Sequence, residues 1–77
     1  MINVEEGQFY IILADCNTGI VLKFNGERNI GGKTPYEVFD SFEDAENYSY
    51  QKINEISYAE CNIYNVKGEL VKTITKN

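Results

Sequence analysis

The stretch that decides the fold covers residues 41–57 and reads SFEDAENYSYQKINEIS. Ser41 is a favoured N-cap residue, and Asp44 three positions later approximates a capping box. Acidic and amide side chains fall on one side of the wound helix. The opposite stripe is apolar or small, and its members are Phe42, Ala45, Ser49, Ile53 and Ile56. The stretch therefore predicts an amphipathic helix over 42–57 with one buried face.

Ser49 lies in the middle of the apolar stripe. A catalytic serine needs a neighbouring base, and the chain has no histidine. A small residue at this position lets the helix approach a sheet, and its hydroxyl can bond to the carbonyl of Ala45. We therefore expect Ser49 to be a packing residue.

A hairpin is predicted before the helix. Residues 8–14 (QFYIILA) are rich in the β-branched and aromatic residues that are typical of strands, and the turn formers of 15–19 follow. Residues 20–24 then alternate, with Ile20, Leu22 and Phe24 on one side. The pattern predicts a second strand at 20–24.

The segment between this hairpin and the helix is rich in glycine. Three glycines in residues 25–34 cost entropy to fix, so we expect a flexible loop over about 25–35. Residues 36–39, after Pro35, alternate over a short distance. Residues 36–39 therefore either form a short additional strand or remain part of the loop.

A second hairpin is predicted after the helix. Residues 58–65 form its first strand, with Ala59, Cys61 and Ile63 on the core-facing parity. Asn65 to Gly68 has the residue pattern of a type I turn. Residues 69–75 form the last strand.

These elements predict a single α+β domain over residues 1–77, with an ordered core of about 8–75. Its antiparallel four-stranded sheet carries one helix on one face. The order is ββαββ, or ββ(β)αββ if 36–39 adds a short fifth strand.

Two segments carry a resemblance to a known group of proteins. Residues 39–46 (FDSFEDAE) and 63–70 (IYNVKGEL) combine a capped helix start with a strand–Asn–Gly hairpin. This combination resembles small uncharacterised bacterial ββαββ proteins. The resemblance implies a helix lying across one face of an antiparallel sheet, and it implies no activity, ligand or catalytic residue.

The charge balance argues against two classes of partner. The net charge is −5, and the basic residues are scattered along the chain as Lys23, Arg28, Lys33, Lys52, Lys67, Lys72 and Lys76. Proteins that bind nucleic acids or anionic membranes obtain most of their affinity from clustered basic residues. We expect no nucleic-acid partner and no membrane partner.

The N-terminal residues show no signal-peptide pattern, so we expect a cytoplasmic protein. Thiols stay reduced in that compartment. Cys16 and Cys61 are therefore expected to be unpaired, although a disulfide between them is an alternative.

Three stretches resemble catalytic or ligand-binding motifs but lack features that those motifs require. Gly32-Lys33-Thr34 resembles the end of a P-loop, but Glu27 stands where the first glycine belongs, and no helix follows. A calcium loop starting at Asp15 would place Gly19 at a ligand position. The acidic residues of 37–46 belong to a solvated helix start, where no carboxyl is desolvated. We expect no catalytic residue, cofactor or metal, and hence no enzyme.

The leading functional hypothesis is a small protein-binding or adaptor module. One helix covers one sheet face, which leaves Tyr10, Tyr58 and Tyr64 as a candidate aromatic interface on the other. The alternative is that these rings form no interface and lie on the sheet with their hydroxyls in water. Two further functions remain open: a structural homodimer that pairs through sheet edges, and a small-molecule binder that uses the Gly-rich loop.

Overall fold

The computed structural model describes residues 2–76. In chain order the elements are strand β1 (Phe9–Asp15), strand β2 (Glu37–Phe39), helix α1 (Phe42–Glu55), strand β3 (Ala59–Tyr64) and strand β4 (Leu70–Thr75). The strands form one antiparallel sheet in the order β2-β1-β3-β4. The predicted α+β class, the four-stranded antiparallel sheet and the order ββαββ are confirmed.

Helix α1 begins as predicted. The backbone N–H of Asp44 donates to Ser41 Oγ at 3.1 Å, which satisfies one of the free amides of the first turn. The helix ends at Glu55, two residues before the predicted end. Its buried residues are Ala45, Ser49 and Ile53. The Ser49 hydroxyl donates to the carbonyl of Ala45 at 2.8 Å, so the predicted packing role of this serine is confirmed.

The core lies between α1 and one face of the sheet. Ile11 and Leu13 of β1 alternate toward the helix. The predicted core-facing residues of β3 are all fully buried, and they are Ala59, Cys61 and Ile63. Ile74 of β4 completes the layer opposite Cys61.

The prediction of a second strand at residues 20–24 is wrong. The chain does reverse after β1, because the N–H of Leu22 donates to the carbonyl of Leu13 at 2.9 Å. Residues 20–24 form only isolated β-bridges, which pair Val21 with Ala14 and Leu22 with Arg28. The first half of the same edge of β1 pairs instead with residues 37–39, the short strand that the sequence left open. Residues 20–24 therefore lack a full edge on which to form a ladder.

Residues 22–28 form a turn that packs beside α1. Leu22 is buried in the core, and the N–H of Lys23 donates to the carbonyl of Glu27 at 2.7 Å. Lys52 of α1 extends its ammonium to the carbonyl of Phe24 at 3.1 Å. The start of the glycine-rich segment is thereby tied to the helix, while the flexibility expected over 25–35 stays a prediction.

The turn between β3 and β4 forms where it was predicted. The N–H of Gly68 donates to the carbonyl of Asn65 at 3.0 Å, which closes the turn. The Asn65 side-chain oxygen accepts from the N–H groups of Lys67 and Glu69, each at 3.0 Å. Gly68 has φ of +79°, a conformation that glycine adopts without strain.

Candidate functional site

An apolar row crosses all four strands on the face that α1 leaves open. Tyr10 of β1 is in register with Val38 of β2 on one side and with Tyr64 of β3 on the other. Tyr64 is in register with Leu70 of β4. Directly paired residues lie on the same face of a sheet, and Ile11 beside Tyr10 faces the helix. The apolar row, defined as Val38, Tyr10, Tyr64 and Leu70, therefore lies on the helix-free face.

Aromatic contacts order the middle of the row. The rings of Tyr10 and Tyr64 stack with their centroids 5.1 Å apart and their planes at 17°. The Tyr36 ring meets Tyr10 edge-on at 6.2 Å. These neighbours leave Tyr10 only 7% exposed. Burial, with a smaller contribution from the nearby Tyr64, raises the pKa of the Tyr10 hydroxyl.

From Tyr10 toward β4, the exposure of the side chains in the row increases. Tyr64 is half-buried, and Leu70 is 56% exposed. Val71, next to Leu70, is 46% exposed. A register shift between Ile63 and Tyr64 marks a bulge at this point, and a bulge re-aims the side chains around it. The accessible end of the row is therefore the Tyr64–Leu70 pair.

The rest of the helix-free face of β3 and β4 is polar. Thr73 donates its hydroxyl hydrogen bond to Asn62 Oδ1 at 2.7 Å. The Asn62 amide nitrogen donates in turn to Glu60 at 3.1 Å. The apolar row thus has a polar border on one side.

The structure brings together two of the three tyrosines predicted at this face. Tyr10 and Tyr64 stack, whereas Tyr58 precedes β3 and donates its hydroxyl hydrogen bond to the carbonyl of Gly26 at 2.9 Å. The third tyrosine at this face is Tyr36, which contacts Tyr10, and not Tyr58 as predicted. The signal for Tyr36 was its parity with Val38 in a segment that the sequence left open as a strand.

The two cysteines lie in different environments, Cys61 buried and Cys16 partly exposed. Burial raises the pKa of the Cys61 thiol to about 11, and its S–H points to the carbonyl of Ser49 at 3.9 Å. Cys16 is partly exposed, and both cysteines are free. Within residues 2–76 no group of three or more His, Cys, Asp or Glu side chains is placed to hold a metal ion.

The glycine-rich loop borders a surface depression of about 590 Å³. Its lining residues are Ile2, Asn3, Gly32, Lys33, Thr34 and Tyr36. Lys33 is the one charged side chain among them. No buried polar side-chain atom of the described residues lacks a hydrogen-bond partner, so none points to a missing ligand here.

Comparison of the chain with protein-family models, with curated proteins and with solved structures gave no match. None of the helices in the described part of the chain is long and apolar enough to cross a membrane.

Proposed function

We propose that this chain is a small non-enzymatic protein-binding module, and that its partner contacts the helix-free face at the Tyr64–Leu70 end of the apolar row. The observation that carries the proposal is the register itself. It aligns an exposed leucine with a half-buried tyrosine on the neighbouring strand.

Single exposed apolar residues are normal on protein surfaces. Leu70, Val71 and Tyr64 differ from that background because they are neighbours on two paired strands. Adjacent apolar side chains with a polar border are typical of interaction surfaces, where aromatic residues supply much of the binding energy. The Tyr10–Tyr64 stack also holds the Tyr64 ring in place, which lowers the entropy lost on binding.

The non-enzymatic part of the proposal is supported by the state of the nucleophilic groups. The hydroxyl of Ser49 is bonded to the carbonyl of Ala45, and the thiol of Cys61 has a raised pKa. The sequence contains no histidine to act as a base. The likeness to small bacterial ββαββ proteins and a cytoplasmic location with reduced thiols belong to the same proposal.

Photo-crosslinking tests the surface before any partner is known. A photoreactive phenylalanine derivative is incorporated at position 64 in one variant and at the exposed position 54 of α1 in a control. Both are expressed in cells that produce the natural chain. We expect a discrete crosslinked protein from position 64 and none from position 54.

The captured protein is then purified and titrated against the natural chain and against Leu70→Thr. Threonine keeps the strand preference of the position and removes the apolar surface. We expect Leu70→Thr to weaken binding at least tenfold, with Asn54→Thr as the control without effect. The proposal is wrong if position 64 yields no crosslink, or if the two positions yield the same products.

A further inference from the structure

The turn formed by residues 22–28 contains an Asn-Gly pair. Asn25 precedes Gly26, and no other asparagine in the sequence is followed by glycine. In such a pair the backbone nitrogen of glycine can attack the side-chain amide carbon of asparagine, because glycine has no Cβ to obstruct ring closure. Asn25 is therefore the asparagine of this chain at which spontaneous deamidation is easiest.

Hydrogen bonds within the turn engage both reacting groups. The N–H of Gly26 donates to the carbonyl of Lys23 at 2.9 Å. The side-chain oxygen of Asn25 accepts from the N–H of Glu27 at 2.9 Å, and its amide nitrogen donates to Glu27 Oε1 at 3.1 Å. Ring closure needs the Gly26 nitrogen to lose its proton and the amide nitrogen of Asn25 to leave. The closed turn therefore opposes the reaction at both groups.

A contact from outside the turn helps to keep it closed. The hydroxyl of Tyr58 donates to the carbonyl of Gly26 at 2.9 Å, and Gly26 is buried. The N–H of Lys23 also donates to the carbonyl of Glu27 at 2.7 Å. The side chain of Asn25 is itself exposed to water. Water is therefore available for the reaction, and opening of the turn limits it.

We propose that Asn25 is a deamidation site that local opening of the 22–28 turn controls, and that the reaction prevents the turn from closing again. In the open turn the Gly26 nitrogen bonds to Cγ of Asn25. The bond from Cγ to Nδ2 breaks, and the nitrogen leaves as ammonia with the proton that Gly26 gave up through solvent. Water then opens the succinimide ring by breaking one of its two carbon–nitrogen bonds. One water is consumed and one ammonia released, with no oxidation or reduction.

The two products differ from the natural turn in charge and in backbone length. Aspartate and isoaspartate each place a carboxylate where the amide nitrogen of Asn25 donated to Glu27, so an attraction becomes a repulsion between like charges. Isoaspartate also inserts one carbon into the backbone before Gly26. The Gly26 bonds to Lys23 and Tyr58 then no longer fit together. Conversion of Asn25 therefore leaves a lasting record that the turn has opened.

Peptide mapping measures the reaction at this one residue. The folded natural chain and the same chain unfolded in urea are incubated side by side in mildly alkaline buffer. Trypsin cleaves after Lys23 and Arg28 and releases residues 24–28. Mass spectrometry then quantifies deamidation, and chromatography against synthetic standards separates aspartate from isoaspartate. We expect both products, formed at least tenfold more slowly in the folded chain than in the unfolded one.

Two variants distinguish local opening from global unfolding. Tyr58→Phe removes the hydrogen bond to Gly26 and should accelerate conversion of Asn25 at least threefold. Ile74→Val removes one buried methylene in β4, at a small cost to global stability that is comparable to that of Tyr58→Phe. It leaves the turn intact and should change the rate less than twofold. Amide spectra confirm that each variant is folded.

The converted chain tests the second half of the proposal. It carries one more negative charge than the natural chain, so ion exchange separates the two. We expect faster amide hydrogen exchange in residues 23–28 of the converted chain and unchanged exchange in β3.

Four outcomes overturn the proposal. They are equal rates in the folded and unfolded chains, no product even in the unfolded chain, equal acceleration by Tyr58→Phe and Ile74→Val, and natural exchange in residues 23–28 of the converted chain. None of these measurements involves a partner, so they are decided separately from the protein-binding function proposed above.

Discussion

The hydroxyl of Tyr58 donates a 2.9 Å hydrogen bond to the carbonyl oxygen of Gly26, a residue 32 positions earlier in the chain. The contact joins the turn after Leu22 to the connection between α1 and β3. Gly26 is buried with φ of +95°, and a Cβ built there would lie 2.8 Å from the Tyr58 hydroxyl oxygen. The turn and the tyrosine are therefore mutually dependent.

Tyr58→Phe removes this hydrogen bond and keeps the ring. We expect a loss of about 1 kcal/mol in the free energy of unfolding, measured by urea denaturation. Amide exchange in residues 23–28 should accelerate, since the bond holds that turn. Tyr64→Phe is the matched control, because its ring stack with Tyr10 does not require the hydroxyl. Equal losses in the two variants would contradict a specific role for the Tyr58–Gly26 bond.

Gly26→Ala should destabilise the chain more than Gly19→Ala. Both glycines have positive φ, so both substitutions carry the conformational cost of about 1 kcal/mol. Gly19 has no atom within 4 Å of an added Cβ, whereas Gly26 has the Tyr58 hydroxyl at 2.8 Å. The hydroxyl must move, and its hydrogen bond is lost. We expect an excess of about 1 kcal/mol for Gly26→Ala, which should largely vanish when both variants are made in the Tyr58→Phe background.

This relationship also shows where the sequence was misleading. Period-2 parity placed Tyr58 with Tyr64, but β3 begins at Ala59, so parity no longer applies to residue 58. Parity is a property of a strand, and sequence patterns locate strand ends poorly.

The helix and the second hairpin could be predicted because their signals are local. Ser41 caps the helix with its own side chain, and Asn65 closes the turn within four residues. The second strand could not be predicted in the same way. Its identity depends on which segment pairs with the free edge of β1, and residues 37–39 pair with that edge from beyond the glycine-rich loop. The alternation of residues 20–24 carries no information about that competition.

The apolar row could be predicted from the sequence only in part. The sequence indicated Tyr10 and Tyr64 on one face. It could not indicate that Leu70 lies opposite Tyr64, because the bulge between Ile63 and Tyr64 shifts the register. A pattern of alternation does not show where an extra residue enters a strand pair.

Ser49 sets a size limit at the interface of α1 with the sheet. It is fully buried, and its hydroxyl is bonded to the carbonyl of Ala45. Ser49→Ala removes both the hydroxyl and its need for a partner, so we expect a change below about 1 kcal/mol in the free energy of unfolding. Ser49→Leu should cost about 1–3 kcal/mol or more, because it overpacks the contact. Thermal denaturation followed by circular dichroism measures both, and a tolerated leucine would contradict the packing role.

Cys61 should make stability depend on pH at the alkaline end. Burial raises the pKa of its thiol from 9.0 to about 11. The unfolded chain therefore loses this proton first as pH rises, so the contribution of Cys61 is fully present below pH 9 and is lost as pH approaches 11. We expect the difference in melting temperature between the natural chain and Cys61→Ala to shrink between pH 8 and pH 10.5. A constant difference would show that the thiol titrates normally.

The two cysteines should also differ in reactivity toward a thiol reagent at pH 8. Cys16 is partly exposed, and Cys61 is fully buried with its pKa near 11. Thiolate is the reactive form, so Cys16 should react within the mixing time and Cys61 only at the rate of unfolding. Cys16→Ser should abolish the fast phase and leave the slow one. Two fast phases in the natural chain would contradict the burial of Cys61.

Tyr10 and Leu70 occupy the same row but should respond differently to substitution. Tyr10 is 7% exposed, and its ring is packed between those of Tyr36 and Tyr64. Tyr10→Ala should therefore cost about 3 kcal/mol in urea denaturation, as expected for a buried aromatic side chain. Leu70 is 56% exposed, so Leu70→Thr should change the free energy of unfolding by less than about 1 kcal/mol. A large loss for Leu70→Thr would mean that Leu70 contributes to packing of the fold, and the binding assay on this variant would then report unfolding. A small loss, together with weakened binding, assigns Tyr10 to holding the row together and Leu70 to contacting the partner.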